Sequence, residues 1–153
     1  MPIATVKKLN LHLDDRGYLY EMLRKDDPFY KGFGQAYVSS INPGVVKGFH
    51  KHSMQTDHVV CVVGQIKLVL IRDLGPRPSG GTMADVEEHH LSVLSPQMVV
   101  IPPDIYHGWM CVGNEPALVI NFSTHPFDPQ TPDEERVDPH DNPWGYVWGI
   151  KDA

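Results

Sequence analysis

Positive charge is scarce in this chain of 153 residues. Its 13 lysines and arginines face 19 aspartates and glutamates, a formal net charge of −6 with histidine neutral. A nucleic-acid-binding surface needs a concentrated positive field to recruit phosphates, so no nucleic-acid partner is expected. Long apolar runs are also missing; none reaches bilayer length, and no membrane partner is expected. The opening Met1-Pro2-Ile3-Ala4-Thr5-Val6-Lys7-Lys8 contains no apolar signal core, so a cytoplasmic location is expected. There are only two cysteines, Cys61 and Cys111, far apart in the chain. They read as reduced core thiols rather than a disulfide framework.

What is present points to β-structure. A hydrophobic content of 41% excludes wholesale disorder, and 13 glycines with 14 prolines suit many short strands and turns. Gln35 to Ile41 is β-prone and stops at the turn signal Asn42-Pro43-Gly44. Val59–Val63 and Ile66–Ile71, separated by Gly64-Gln65, predict a hairpin. Both runs are too continuously apolar for a strand wetted on one face, which places them in a sandwich or barrel core. A loop is expected over 76–81. Strands are expected between His90 and Ile101, over His107–Met110 and over Ala117–Phe122. Residues 125–143 form a Pro/Asp-rich arm without apolar period, and the aromatic 144–153 segment should pack back on the body. The expectation is one all-β domain over 1–153, of about ten strands.

Nine histidines raise the question of proton transfer or metal ligation. The densest group is Gly44-Val45-Val46-Lys47-Gly48-Phe49-His50-Lys51-His52, followed by Gln55, Asp57 and Gly64. On a strand His50 and His52 share one face. A second group, Pro102-Pro103-Asp104-Ile105-Tyr106-His107, ends in another histidine. The spacings G-x5-H-x-H-x4-D-x6-G and P-x-D-x-x-H resemble the two cupin motifs, with aspartate for the usual glutamate and Asp104 for a usual glycine. That resemblance implies a cupin-type jelly-roll β-sandwich or barrel with these side chains at its mouth.

A closer resemblance runs over most of the chain. Asp15-Arg16-Gly17 with Glu21, then Gln35, Ser39, Gly44 to His50, Gln55, Gly64, Ile101-Pro102-Pro103 and His107-Gly108-Trp109 are similar to the dTDP-4-dehydrorhamnose 3,5-epimerase family. Its pattern reads D-x-R-G-x-x-x-E, Q-x-N-x-S, R-G-L-H, Q-x-K and I-P-x-G-x-x-H-G-F. The resemblance implies that His50 is the base that removes a sugar proton, oriented by a carboxylate matched by Asp152. It implies nucleotide contacts for Arg16 and Glu21, substrate contacts for Gln35, Tyr37, His107 and Asn121, and diphosphate binding for Lys47. Lysine there replaces the family arginine, a point charge in place of a bidentate fork.

The chain also departs from that pattern. The family lysine facing the sugar oxygen is matched by Asp57, the family tyrosine acid by Asn121, and a second tyrosine by Phe127. The acid role then falls to His52, Tyr37 or Tyr106. The implied activity is a nucleotide-diphospho-4-keto-6-deoxysugar epimerase or isomerase without cofactor, working as a homodimer that exchanges N-terminal strands. The alternatives are a metal-dependent cupin enzyme, with one divalent ion on His50, His52, Asp57 and His107, and a sugar-nucleotide binder without turnover.

Overall fold

The computed structural model describes residues 1–151, and among them there is no helix. Twelve strands are present among these residues. They are β1 (Thr5–Lys8), β2 (His12–Asp14), β3 (Gly17–Leu19), β4 (Gln35–Ile41), β5 (Val46–Lys51) and β6 (Asp57–Val63). The chain continues through β7 (Gln65–Pro76), β8 (Thr82–Ser92), β9 (Gln97–Ile101), β10 (Tyr106–Cys111), β11 (Ala117–Ser123) and β12 (Glu135–Arg136). Two antiparallel five-stranded sheets, ordered β1-β9-β6-β11-β4 and β12-β5-β10-β7-β8, face each other as a jelly roll. The β2–β3 hairpin forms a small sheet of its own.

Side-chain alternation explains where the core lies. Val59 and Cys61 of β6, Leu68 and Leu70 of β7, Trp109 and Cys111 of β10, and Ala117 and Val119 of β11 fill the space between the sheets. The outer faces are covered as well, which is why these strands read as continuous apolar runs. Leu9, Tyr20, Met22, Leu23 and Phe29 lie over Val60, Met98 and Val100. Trp144, Tyr146 and Trp148 lie over Phe49, Val69, Ile71 and Tyr106 on the opposite sheet. Polar anchors fix that aromatic segment: Trp144 Nε1 donates to Asp73 at 3.1 Å and Tyr146 Oη to Glu88 at 2.6 Å.

The expected hairpin at Gly64-Gln65 is corrected. β6 and β7 belong to different sheets, and the chain crosses between them at Gly64. Gly64 has φ of 73°, and a Cβ there would stand 3.1 Å from Ala117 Cα. The glycine therefore serves a tight sheet-to-sheet corner rather than a two-residue hairpin turn. The long hairpin is β7–β8, registered from Gln65↔Ser92 to Pro76↔Thr82. Residues 82–89 carry no strand signal in the sequence because Asp85, Glu87 and Glu88 break the apolar pattern, as suits a sheet edge.

Candidate active site

At one end of the sandwich the inward-facing residues turn from apolar to polar. Along β6 they run Cys61, Val59, Asp57; along β11 Val119, Asn121; along β10 Trp109, His107. The pairing of β5 with β10 sets the geometry. His107 stands opposite His50, and Trp109 stands opposite Lys47, so β5 spends one more residue than β10 over this stretch. Such a bulge breaks strict alternation. It turns Lys47 and His50, three positions apart, toward the same cavity. Close backbone contact makes it possible: a Cβ on Gly48 would lie 2.6 Å from Gly108 Cα, and one on Gly108 would lie 2.8 Å from the Lys47 carbonyl oxygen.

The imidazoles of His50, His52 and His107 cluster, with one ring nitrogen from each lying within 4.8 Å of the others. The His50 ring is edge-on to His107 at 4.2 Å between centroids, and Trp109 stands 5.7 Å away. Burial, and then the charges of His107 and His52, hold His50 well below the usual histidine pKa. His50 is therefore a neutral ring at neutral pH, able to accept a proton. Asp57, 1% exposed, lies behind this cluster. Its Oδ1 accepts from Gln55 Nε2 at 2.6 Å and Asn121 Nδ2 at 2.7 Å, while its Oδ2 faces His107 Nε2 at 3.3 Å and His52 Nε2 at 3.5 Å. Burial alone would raise this carboxyl. The hydrogen bonds of His107 and Asn121 and the charges of His107 and His52 outweigh it, so Asp57 titrates far below the usual carboxylate range.

Two contiguous cavities open over the cluster, of about 470 and 340 Å³, sharing Tyr37, His50, Glu134 and Arg136 as walls. Of the residues singled out from sequence, His50, His52, Gln35, Tyr37 and Lys47 line them. His107 and Asn121, 2% and 1% exposed, sit behind the wall and orient what is in front, so the expected substrate contact of each is corrected to a supporting one. Tyr106 is corrected outright. It faces the outer side of β10, opposite to His107, with its hydroxyl held by Glu135 and Lys51 4.7 Å above its ring. Arg16 and Glu21 are also absent from these cavities. Arg16 is paired with Asp14 on the exposed β2–β3 turn, and Glu21 with Arg24 at 2.9 Å. Asp152 lies outside the described residues.

The arm supplies what the sequence reading missed. Asp133 takes the backbone N–H groups of Ser53, Met54 and Gln55, and β12 adds to β5 with Arg136 opposite His50. Glu134 and Arg136, paired at 2.9 Å, face the cavities while Glu135 faces Lys51 outside. A two-residue strand carries no readable period, so the one available signal was the alternation within Glu134-Glu135-Arg136 itself.

Two facing β-sheets with imidazoles gathered at the open end of their shared interior define a cupin-type fold with an enzyme-like site. Residues 12–135 match the polysaccharide biosynthesis C-terminal domain family. The chain is 36% identical over 146 residues to the spore coat polysaccharide biosynthesis protein SpsL of Bacillus subtilis, covering 95% of each. It is 36% identical over 138 residues to the probable low-salt glycan biosynthesis epimerase Agl13 of Haloferax volcanii, covering 89% of this chain and 86% of that one. A dTDP sugar isomerase from Desulfovibrio desulfuricans superposes with a TM-score of 0.83 at 27% identity, over 97% of this chain and 92% of that chain. The fold is also that of solved dTDP-4-dehydrorhamnose 3,5-epimerases. The chain belongs to this family of cupin-fold sugar epimerases and is an isomerase.

Proposed function

We propose that the protein inverts a carbon next to the keto group of a nucleotide-diphospho-4-keto-6-deoxysugar, with His50 as the base. The observation that carries this is His50 itself, an imidazole kept neutral by burial and by its histidine neighbours, on the wall of a sugar-sized cavity. Hydrogens α to a ketone are weak acids, and a positioned neutral imidazole removes one readily. Lys47, at 2.9 Å from Ser39 Oγ, and Arg136 supply positive charge to the second cavity, where a diphosphate would lie. The relatives named as epimerase and dTDP sugar isomerase support the substrate class.

In this reading no cofactor takes part and the enzyme works in the cytoplasm. It works as a homodimer: the β2–β3 hairpin, with Leu13 and Leu19 exposed, reaches a second copy, and Arg16 and Glu21 serve the site there. The test is solvent-deuterium incorporation in D2O, followed by NMR. A dTDP-linked 4-keto-6-deoxysugar comes first, then other bases, with His50→Ala as control. Exchange lost in the variant supports the reading; no exchange across the panel refutes it.

The clustering of His50, His52 and His107 favours one second reading, a divalent ion held by these three with Asp57 adjacent. Imidazole nitrogen with carboxylate oxygen suits such an ion, which would polarise a substrate oxygen. His50 would then be a ligand rather than a free base. Metal analysis of untagged protein decides: stoichiometric metal that falls in His52→Ala favours this reading, and substoichiometric metal indifferent to that change removes it.

A further inference from the structure

Inversion needs a proton taken from one face of the sugar ring and another delivered to the opposite face. His50 projects from β5, in the β12-β5-β10-β7-β8 sheet. The acid must therefore stand on the facing sheet or on the arm. We infer that Tyr37 is this acid and hands its phenolic proton to the carbon that His50 has deprotonated; the inference rests on the function proposed above.

The hydrogen-bond network decides how the Tyr37 hydroxyl is used. Tyr37 lies on β4, in the sheet opposite His50, and pairs in register with Asn121 of β11. The backbone N–H of His58 donates to Asn121 Oδ1 at 3.0 Å, which identifies the amide oxygen. The amide nitrogen then gives one hydrogen to Asp57 at 2.7 Å and the other to the Tyr37 oxygen at 2.9 Å. Tyr37 is thus an acceptor toward the protein, and its own proton is left to point into the cavities that it shares with His50. Burial raises its pKa above the usual tyrosine value, which keeps that proton in place before reaction.

The other proton carriers are placed wrongly. Tyr106 faces the outer side of its sheet, and His107 lines neither cavity. His52 directly follows β5 on the same side of the cavity as His50, with its nitrogens against the Asp133 carbonyl and Asp57. Of the arm residues, Glu134 is ion-paired with Arg136, and His125 and Asp128 lie at the exposed rim.

The step balances simply. The C–H pair becomes the C=C of the enolate while the ketone becomes C–O−, and a ring nitrogen of His50 holds the proton. The enolate carbon then takes the Tyr37 proton on the other face and the ketone re-forms. Imidazolium and phenolate remain, and they are reset by proton exchange with water at the cavity mouth.

The test is Tyr37→Phe, which removes one hydroxyl from a side chain that is 37% exposed. Deuterium exchange at the α-carbon should stay within a few-fold of the unmodified protein, while formation of the inverted sugar falls by about 100-fold or more. A fluorinated tyrosine at position 37 should move the alkaline limb of inversion to lower pH and leave exchange unmoved. Inversion within three-fold of the parent in Tyr37→Phe would overturn the inference, as would an unmoved alkaline limb. Absence of both exchange and inversion in the parent protein would instead be the failure of the proposed function.

Discussion

Asp133 is the point at which the arm is fastened to the site, and Asp133→Ala measures that fastening. Its Oδ1 accepts from Ser53 N at 2.8 Å and Ser53 Oγ at 2.5 Å; its Oδ2 accepts from Met54 N at 3.0 Å and Gln55 N at 3.1 Å. Burial would raise this carboxyl, but those four donors hold it down at about 2, against a usual 3.8. At roughly 1.4 kcal/mol per pKa unit the depression corresponds to about 2.5 kcal/mol. Water reaches part of the carboxylate, and screening reduces this to about 1–2 kcal/mol. At ~2–4 °C per kcal/mol for a chain of this size, Asp133→Ala should lower Tm by about 2–8 °C. The folded pKa is depressed, so the contribution is full above pH 3.8 and disappears as pH falls toward 2. Melting curves between pH 2 and 7 should show the variant and parent converging at the acid end. Asp133→Asn, which keeps one acceptor oxygen, should lie between them. A Tm within 1 °C of the parent at pH 7, or a gap that persists at pH 2, would refute the reasoning.

Three further expectations follow from the same geometry. Because burial and the neighbouring histidines depress His50, exchange should require deprotonation with a midpoint well below 6.5 and be level above it; a pH profile with its acid limb centred at or above 6.5 would contradict this. Gly108→Ala would set a methyl 2.8 Å from the Lys47 carbonyl oxygen and 2.9 Å from Gly48 Cα, both backbone, so urea unfolding should show a loss of about 1–3 kcal/mol and exchange should fall with it. Tyr106→Phe, altering only the outer face where Glu135 holds the hydroxyl, should leave exchange within two-fold of the parent; a large loss would return Tyr106 to the chemistry.

The all-β jelly roll was legible because its inner strands are covered on both sides and read as unbroken apolar runs. That same continuity misled at Gly64: nothing in two adjacent apolar runs distinguishes a hairpin from a crossing between sheets. The distinction lies in what the glycine touches, Ala117 and Pro116, more than 50 positions away. His50, His52 and Asp57 were legible from spacing, and alternation placed the two histidines on one face. The role of Tyr106 was not, because it immediately precedes His107 and a strand sends neighbours to opposite sides. Nor were Asp133 and Arg136, which matter only through a register between β12 and β5 that no local pattern encodes.

A carboxylate facing an enolate would repel it, so an Asp57 exposed to substrate would conflict with the proposed chemistry. The structure removes the conflict by position. Asp57 lines neither cavity and stands behind His52 and His107, with the Gln55 and Asn121 amides donating to one oxygen and the two imidazole Nε2 atoms facing the other. A buried carboxylate so fully satisfied is costly to protonate and costly to strip of its partners, which makes it a rigid reference point. The two imidazoles on one sheet and, through Asn121, the Tyr37 hydroxyl on the other are all referred to it. The charged side chains that line the cavities are Lys47 on β5 and Asp128, Asp133, Glu134 and Arg136 on the arm, so the field a substrate meets comes from β5 and the arm. The phenol is thus tied to this buried anion through Asn121, and the base His50 packs edge-on against His107, which faces the same anion, so a change at Asp57 should reach both sides of the cavity.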